Sequence, residues 1–218
     1  MNPVLPESRL ASVLCAMTAC AACTDGSEPA PIAAAAHALE GPASDATGSA
    51  SAVLLDPSGN EVGRVSFSCA DGDTTLVSVS AHLDVEDASI RGMHIHANDD
   101  PSNGDGCIAD PEQDPSTWFV SVDSHFSPHS ATHGHHAGDM PALFFTEAGD
   151  AAARFITDRF QCAEIRGRAV ILHAGADNYG NIPVGDQPEQ YTPNDPAATD
   201  LTARTGNAGA RVACGVIE

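Results

Sequence analysis

The chain contains no lysine, and its nine bases, all arginine, face 30 acids for a formal net charge of −21. That balance excludes a nucleic-acid binder, because phosphate backbones are held through Lys and Arg. The excess acid reads instead as a soluble, hydrated surface. Aromatic residues are scarce, at 5% with a single Trp, so a core must come chiefly from Val, Ile, Leu and Ala. No apolar run approaches the roughly 20 residues that a bilayer-crossing helix needs. With 218 residues the chain has room for one ordinary domain plus an export segment and linker, or for two small domains at most.

Residues 1–23 read MNPVLPESRLASVLCAMTACAAC. One base, Arg9, precedes an apolar stretch from Leu10 to Ala22 and small residues follow, the layout of a secretory signal. A small-residue run ending in Cys resembles the cleavage box of bacterial lipoproteins, with Cys23 or Cys20 as the lipidated residue. Cysteine arithmetic favours Cys23. The mature chain then keeps Cys69, Cys107, Cys162 and Cys214, an even set for two disulfides in an oxidising compartment, whereas Cys20 leaves Cys23 as an odd thiol. An ordinary cleaved signal without lipid is the alternative. Residues 24–48, rich in Ala, Pro, Gly and Ser, read as a flexible linker. The expected location is periplasmic or attached to the cell envelope, with a lipid as the sole contact with membrane.

From Ser49 the pattern changes to short β-prone runs separated by turn residues. They are Ser51 to Leu55, Val62 to Ser68, Leu76 to Leu83, Gly92 to His96, Ala142 to Thr146, Ala152 to Ile156, Ala169 to His173 and Arg211 to Ile217. Eight strands and almost no helix predict an all-β, antiparallel barrel or sandwich over residues 49–218. Three long stretches, 97–141, 157–167 and 174–210, interrupt the rhythm, and loops of that length are functional or crosslinked.

Histidine is concentrated beside those loops. His94 and His96 are two apart on a strand, so they share one face while Met93 and Ile95 take the other. Between His125 and Asp139 lie five histidines and an aspartate in fifteen residues: His125, His129, His133, His135, His136 and Asp139. His173 closes an apolar strand. Imidazoles suit copper and zinc, and one carboxylate among them is compatible with zinc.

These segments together resemble the copper/zinc superoxide dismutase family in its bacterial, exported branch. Gly92-Met93-His94-Ile95-His96 is similar to its first copper motif, and His125-Phe126-Ser127-Pro128 to the start of its zinc loop. His136 to Pro141 is similar to that loop's end, Ala169 to Asn178 to the strand with the last copper ligand, and Gly206 to Ile217 to the carboxy-terminal signature. The resemblance implies an eight-stranded Greek-key barrel and the conversion of superoxide to dioxygen and hydrogen peroxide by copper redox cycling. It implies copper on His94, His96, His125 and His173, and zinc on His125, His133, His136 and Asp139, with His125 shared. Arg211 and His125 would be the catalytic residues, the first receiving the anion and the second moving a proton. Asp177 would link a copper-ligand histidine to a zinc-ligand histidine, and Cys107 would pair with Cys214. Cys69 and Cys162, the remaining pair, are expected to join. Family members are monomers or homodimers, and the stretch around Trp118 reads equally as an interface or a packed loop.

One departure stands out. The family separates its second and third zinc histidines widely, whereas His133 and His136 are three apart, with His129 and His135 as spares. A turn can still aim histidines three apart at one ion, but the family includes copper-only members, so zinc is left open at this point. Two rivals remain: a non-catalytic copper or zinc carrier on the same fold, and a structural domain with decorative histidines. The stretch before Arg211 carries Asp186, Glu189, Asp195 and Asp200 against Arg204 alone, which predicts weak electrostatic steering.

Overall fold

Apolar residues alternate with polar ones along the first three strands, and the alternation sorts them to two faces. In a computed structural model, which describes residues 48–69, 73–86, 89–179 and 196–218, β1 (Ser49–Leu55) buries Ala50, Ala52 and Leu54 and exposes Ser51, Val53 and Leu55. In β2 (Glu61–Cys69) Val65 and Phe67 point inward, and in β3 (Thr75–His82) Thr75, Val77, Val79 and Ala81 do. The expected signal and linker up to residue 47, Cys20, Cys23, and the loop acids Asp186, Glu189 and Asp195 lie outside the described residues.

Six further strands follow: β4 (Ser89–Arg91), β5 (Met93–His96), β6 (Leu143–Phe145), β7 (Asp150–Thr157), β8 (Ala169–His173) and β9 (Arg211–Val216). Seven strands form one antiparallel sheet in the order β5-β8-β9-β1-β2-β3-β7, while β4 pairs with β6. The returns that set β7 beside β3 and β8 beside β5 are long, Greek-key connections. All eight expected strands are present; the three-residue β4 is the addition. Among the described residues, two short helices break the expectation of almost none: α1 (Cys162–Ile165) and α2 (Pro196–Thr205). Pro196 suits the first helical position, whose N–H needs no partner, and Arg204 lies in the last turn.

β5 and β8 are buried along their whole length. Their inward residues Met93, Ile95, Val170 and Leu172 join the main core with Phe67, Leu143 and Phe145. Their outward face is covered too: Ala169, Ile171 and Cys214 pack with Phe119 and Val122 of the long loop, and Trp118 packs against this second cluster. Trp118 is thus part of a packed loop, its Nε1 donating to Asp110 O at 2.9 Å. Disulfides join Cys107 to Cys214 and Cys69 to Cys162. The first staples the long loop to β9, and the second joins the end of β2 to the start of α1.

Candidate metal centre

The register of β5 against β8 sets His94 opposite Ile171 and His96 opposite Ala169. Opposed residues share a face, so His94, His96 and His173 line the covered outer side while Met93 and Ile95 enter the core. Between β8 and β9 the pairing slips by one residue, and Arg211 lands across from His173. The loop after β5 returns to it twice. Phe126 N donates to Ile95 O at 2.8 Å, and Ile95 N donates to Gly138 O at 2.8 Å. His125 and Asp139 are thereby brought against His96 and His94, and the turn bearing His133 and His136 is held between them.

Six histidines (His94, His96, His125, His133, His136 and His173) and Asp139 are buried there. His94 Nδ1 and the Nε2 atoms of His96, His125 and His173 have no hydrogen-bond partner. Those four residues each offer a donor atom within 4.8 Å of the others. An unpaired buried polar atom costs about 1–3 kcal/mol, so four in one place mark a site built for something that satisfies them. Three of the rings have their other nitrogen committed. His94 Nε2–H donates to Asp177 Oδ2 at 2.5 Å, His96 Nδ1–H to Asp123 O at 2.8 Å, and His173 Nδ1–H to Gly209 O at 3.0 Å. Each bond selects the tautomer that turns a lone pair toward the shared point. The set fits a copper ion.

A second cluster begins at the other nitrogen of His125. Its Nδ1 lies 3.3 Å from His133 Nδ1, 3.2 Å from His136 Nδ1 and 3.0 Å from Asp139 Oδ1. Asp139 Oδ1 is also 3.2 Å from both His133 Nδ1 and His136 Nδ1. A tetrahedral ion with bonds of about 2.0 Å separates its ligands by about 3.3 Å, so this donor set fits zinc. His94 also comes within 4.8 Å of His125, His133 and Asp139. Its Nε2 is taken by Asp177 and its Nδ1 belongs to the first cluster, so His136 is the better fourth corner. His129 and His135 are exposed and lie outside both clusters. His82 pairs with Asp150 at the surface, at 2.9 Å.

Burial lowers His125 to about 4 and His173 to about 3, and places His96 well below its ordinary value. These rings therefore stay neutral, with lone pairs free, near pH 7. His133 goes the other way. Burial alone would lower it, but hydrogen bonds to Asp139 and Asp177 prevail and raise it to about 9. A proton held among carboxylates thus stands where a cation fits. Burial opposes the charge on Asp139, yet the three imidazoles around it hold its carboxyl far below the usual range.

Asp177 joins the clusters. Its Oδ2 takes His94, and its Oδ1 accepts from His133 Nε2 at 2.7 Å and from Tyr179 N at 2.6 Å. Gly206, at φ +63°, lies so close that a Cβ there would sit 2.3 Å from Asp177 Oδ1 and 2.4 Å from His133 Nε2. Arg211 donates through Nη1 to Phe119 O and through Nη2 to Asp123 O at 2.5 Å. Burial lowers its guanidinium to about 10, which leaves it charged near pH 7.

One carbonyl, that of Asp123, therefore orients both His96 and Arg211. Asp123 adopts φ 64° and ψ −155°, a region that side chains rarely occupy. Its carboxylate accepts from Asp99 N at 2.8 Å, Asp100 N at 3.0 Å and Asn103 Nδ2 at 2.6 Å. Asp123, Tyr179 and Arg159 stand in no metal-ligand spacing, so the sequence alone does not mark them as part of the site.

A family model described as copper/zinc superoxide dismutase matches residues 61–217. The chain belongs to the copper/zinc superoxide dismutase family. Among curated relatives, the Cu-Zn superoxide dismutase of Mycolicibacterium paratuberculosis is 32% identical over 234 residues, covering 100% of this chain and 99% of the relative. That of Mycobacterium tuberculosis is 31% identical, covering 87% of this chain and 77% of the relative. Among solved structures, the clock protein EA4 matches with a TM-score of 0.56 and 28% identity, covering 80% of this chain and 97% of that one. Copper and zinc are the metals of the copper/zinc superoxide dismutase family, and the two donor clusters of this member suit them in turn.

Proposed function

We propose that the chain is a superoxide dismutase that converts superoxide to dioxygen and hydrogen peroxide. In this reading His94 Nδ1 and the Nε2 atoms of His96, His125 and His173 hold copper. His125, His133 and His136 through Nδ1, and Asp139 through Oδ1, hold zinc. The observation that carries the reading is the convergence of four buried, partnerless imidazole nitrogens beside a half-buried arginine.

Copper, when bound, supplies the one-electron redox chemistry. The protein supplies the rest. Arg211 presents a fixed positive charge to a small anion in a site of low dielectric, where charge acts more strongly than in water. His125 has one nitrogen in each cluster, so its Nε2 is the atom that can hold and release a proton beside the substrate. Asp177 and the Asp123 carbonyl fix ring orientation. A depleted histidine set or a missing arginine would favour a carrier on the same fold, whereas here the four histidines and Arg211 are all present.

A superoxide-decay assay tests this. The metal-loaded protein should accelerate decay, and His125→Ala should lose at least about tenfold. A wild-type protein that binds copper without accelerating decay would favour the carrier.

The finer reading of location belongs to the same proposal: an exported protein, lipidated at Cys23. Two disulfides support export, since such bonds persist in oxidising compartments, as does the signal-like composition of residues 1–23. Mass spectrometry of the mature amino terminus should find a lipid on Cys23, and a free, unmodified amine would reject it.

A further inference from the structure

We infer that Arg159 is a positioning residue for zinc: it grips the turn between His133 and His136 so that two histidines three residues apart can share one ion. The inference rests on the zinc ligands proposed above. Within the turn, Asp139 Oδ2 accepts from Gly134 N at 2.7 Å and from His136 N at 3.0 Å, while its Oδ1 faces the cluster. On the other side, Arg159 Nη1 donates to His136 O and Nη2 to Gly134 O, both at 3.0 Å. The backbone of residues 134 and 136 is thus held by its N–H groups from one side and by its carbonyls from the other. A guanidinium suits the task because its donors form a rigid planar fork.

Arg159 stands on a firm base. Its own N–H donates to Thr157 Oγ1 at 3.2 Å, at the end of β7. The next residue, Phe160, is buried edge-on against Phe67 with ring centroids 5.9 Å apart, and its carbonyl accepts from Thr75 Oγ1 at 2.7 Å. Two residues further, Cys162 is bonded to Cys69. The second disulfide, which has no place in the histidine clusters, therefore anchors the segment that carries the clamp. Attraction is not the device, since a guanidinium near a divalent cation opposes binding; its contribution is geometry.

The test uses the full chain loaded with copper and zinc, with zinc release followed by a colorimetric chelator. Wild-type protein should hold one zinc per chain. Arg159→Ala should release it about tenfold faster, with Arg159→Lys in between, because one ammonium cannot span both carbonyls. The melting temperature of the metal-free protein and its copper uptake should match wild type. Cobalt in place of zinc should show an altered visible spectrum in Arg159→Ala, reporting changed ligand geometry. Equal or slower zinc release in Arg159→Ala would overturn the inference. So would an equal loss of melting temperature with and without zinc, which would mark a general structural role. A wild-type protein that refuses zinc would overturn the ligand assignment itself, a separate result. Should Arg159→Ala fail to fold, Arg159→Gln, which keeps one donor group, carries the same comparison.

Discussion

His133 shows how a single ring can be set for metal by its neighbours. Its Nε2 donates to Asp177 and its Nδ1 faces Asp139, so without zinc it binds a proton up to about pH 9. Because that value is raised above the unfolded value of about 6.5, the proton stabilises the metal-free fold fully below about pH 6.5. That contribution is lost as pH rises through about 9. In the proposed zinc site the ion displaces this proton to reach Nδ1. Uptake at pH 7 should therefore release about one proton per ion, and the release should fade above about pH 9. Titration calorimetry in two buffers of different ionisation heat measures it, and identical heats in both would refute it. The residues of the two clusters were legible because their chemistry lies in side-chain type and spacing: His94-x-His96 on a strand, and the run from His125 to Asp139. Asp123 and Arg159 were not. Asp123 acts on His96 and Arg211 through a backbone carbonyl, which every residue possesses. Arg159 reaches the site from a distant segment, and no spacing in the sequence reports that approach.

Elements were readable wherever side-chain alternation was strong. β1, β2 and β3 alternate cleanly, and their expected spans differ from the observed ones by a few terminal residues. β7 runs from Asp150 to Thr157, longer than its expected core, because it pairs along all eight residues with β3. The three residues of β4 are too few to show a period, and they form a strand only by pairing with β6. α2 was hidden for another reason. Its sequence, Pro-Ala-Ala-Thr-Asp-Leu-Thr-Ala-Arg-Thr, has no clear apolar stripe and three threonines, which are mediocre helix formers. Tertiary contact explains its place: Ala203 O accepts from His133 N at 2.6 Å, and Thr202 is buried. The helix thus helps seat one end of the same turn that Arg159 grips from outside.

The net charge of −21 sets the whole molecule against its anionic substrate. Guanidinium groups that could draw superoxide inward are engaged elsewhere. Arg204 pairs with Asp200 at 3.0 Å on the surface of α2, and Arg168 lies 3.8 Å over the Phe126 ring while donating to Ala97 O. Arg159 is taken by two carbonyls. Arg211 alone among these stands beside the copper-type cluster, across from His173. Attraction is therefore local, whereas repulsion comes from acids spread over the surface. Salt screens the two unequally, since the Debye length is about 10 Å at 0.1 M and contacts closer than that persist. The second-order rate, kcat/KM, should consequently stay flat or rise as ionic strength goes from about 0.01 to about 0.15 M. Arg211→Ala should lower the rate at every salt concentration without giving it a steep slope. Pulse radiolysis across the salt series measures both. A rate that falls steeply with added salt would require a positive field at the mouth of the site, and the idea of purely local capture by Arg211 would fail.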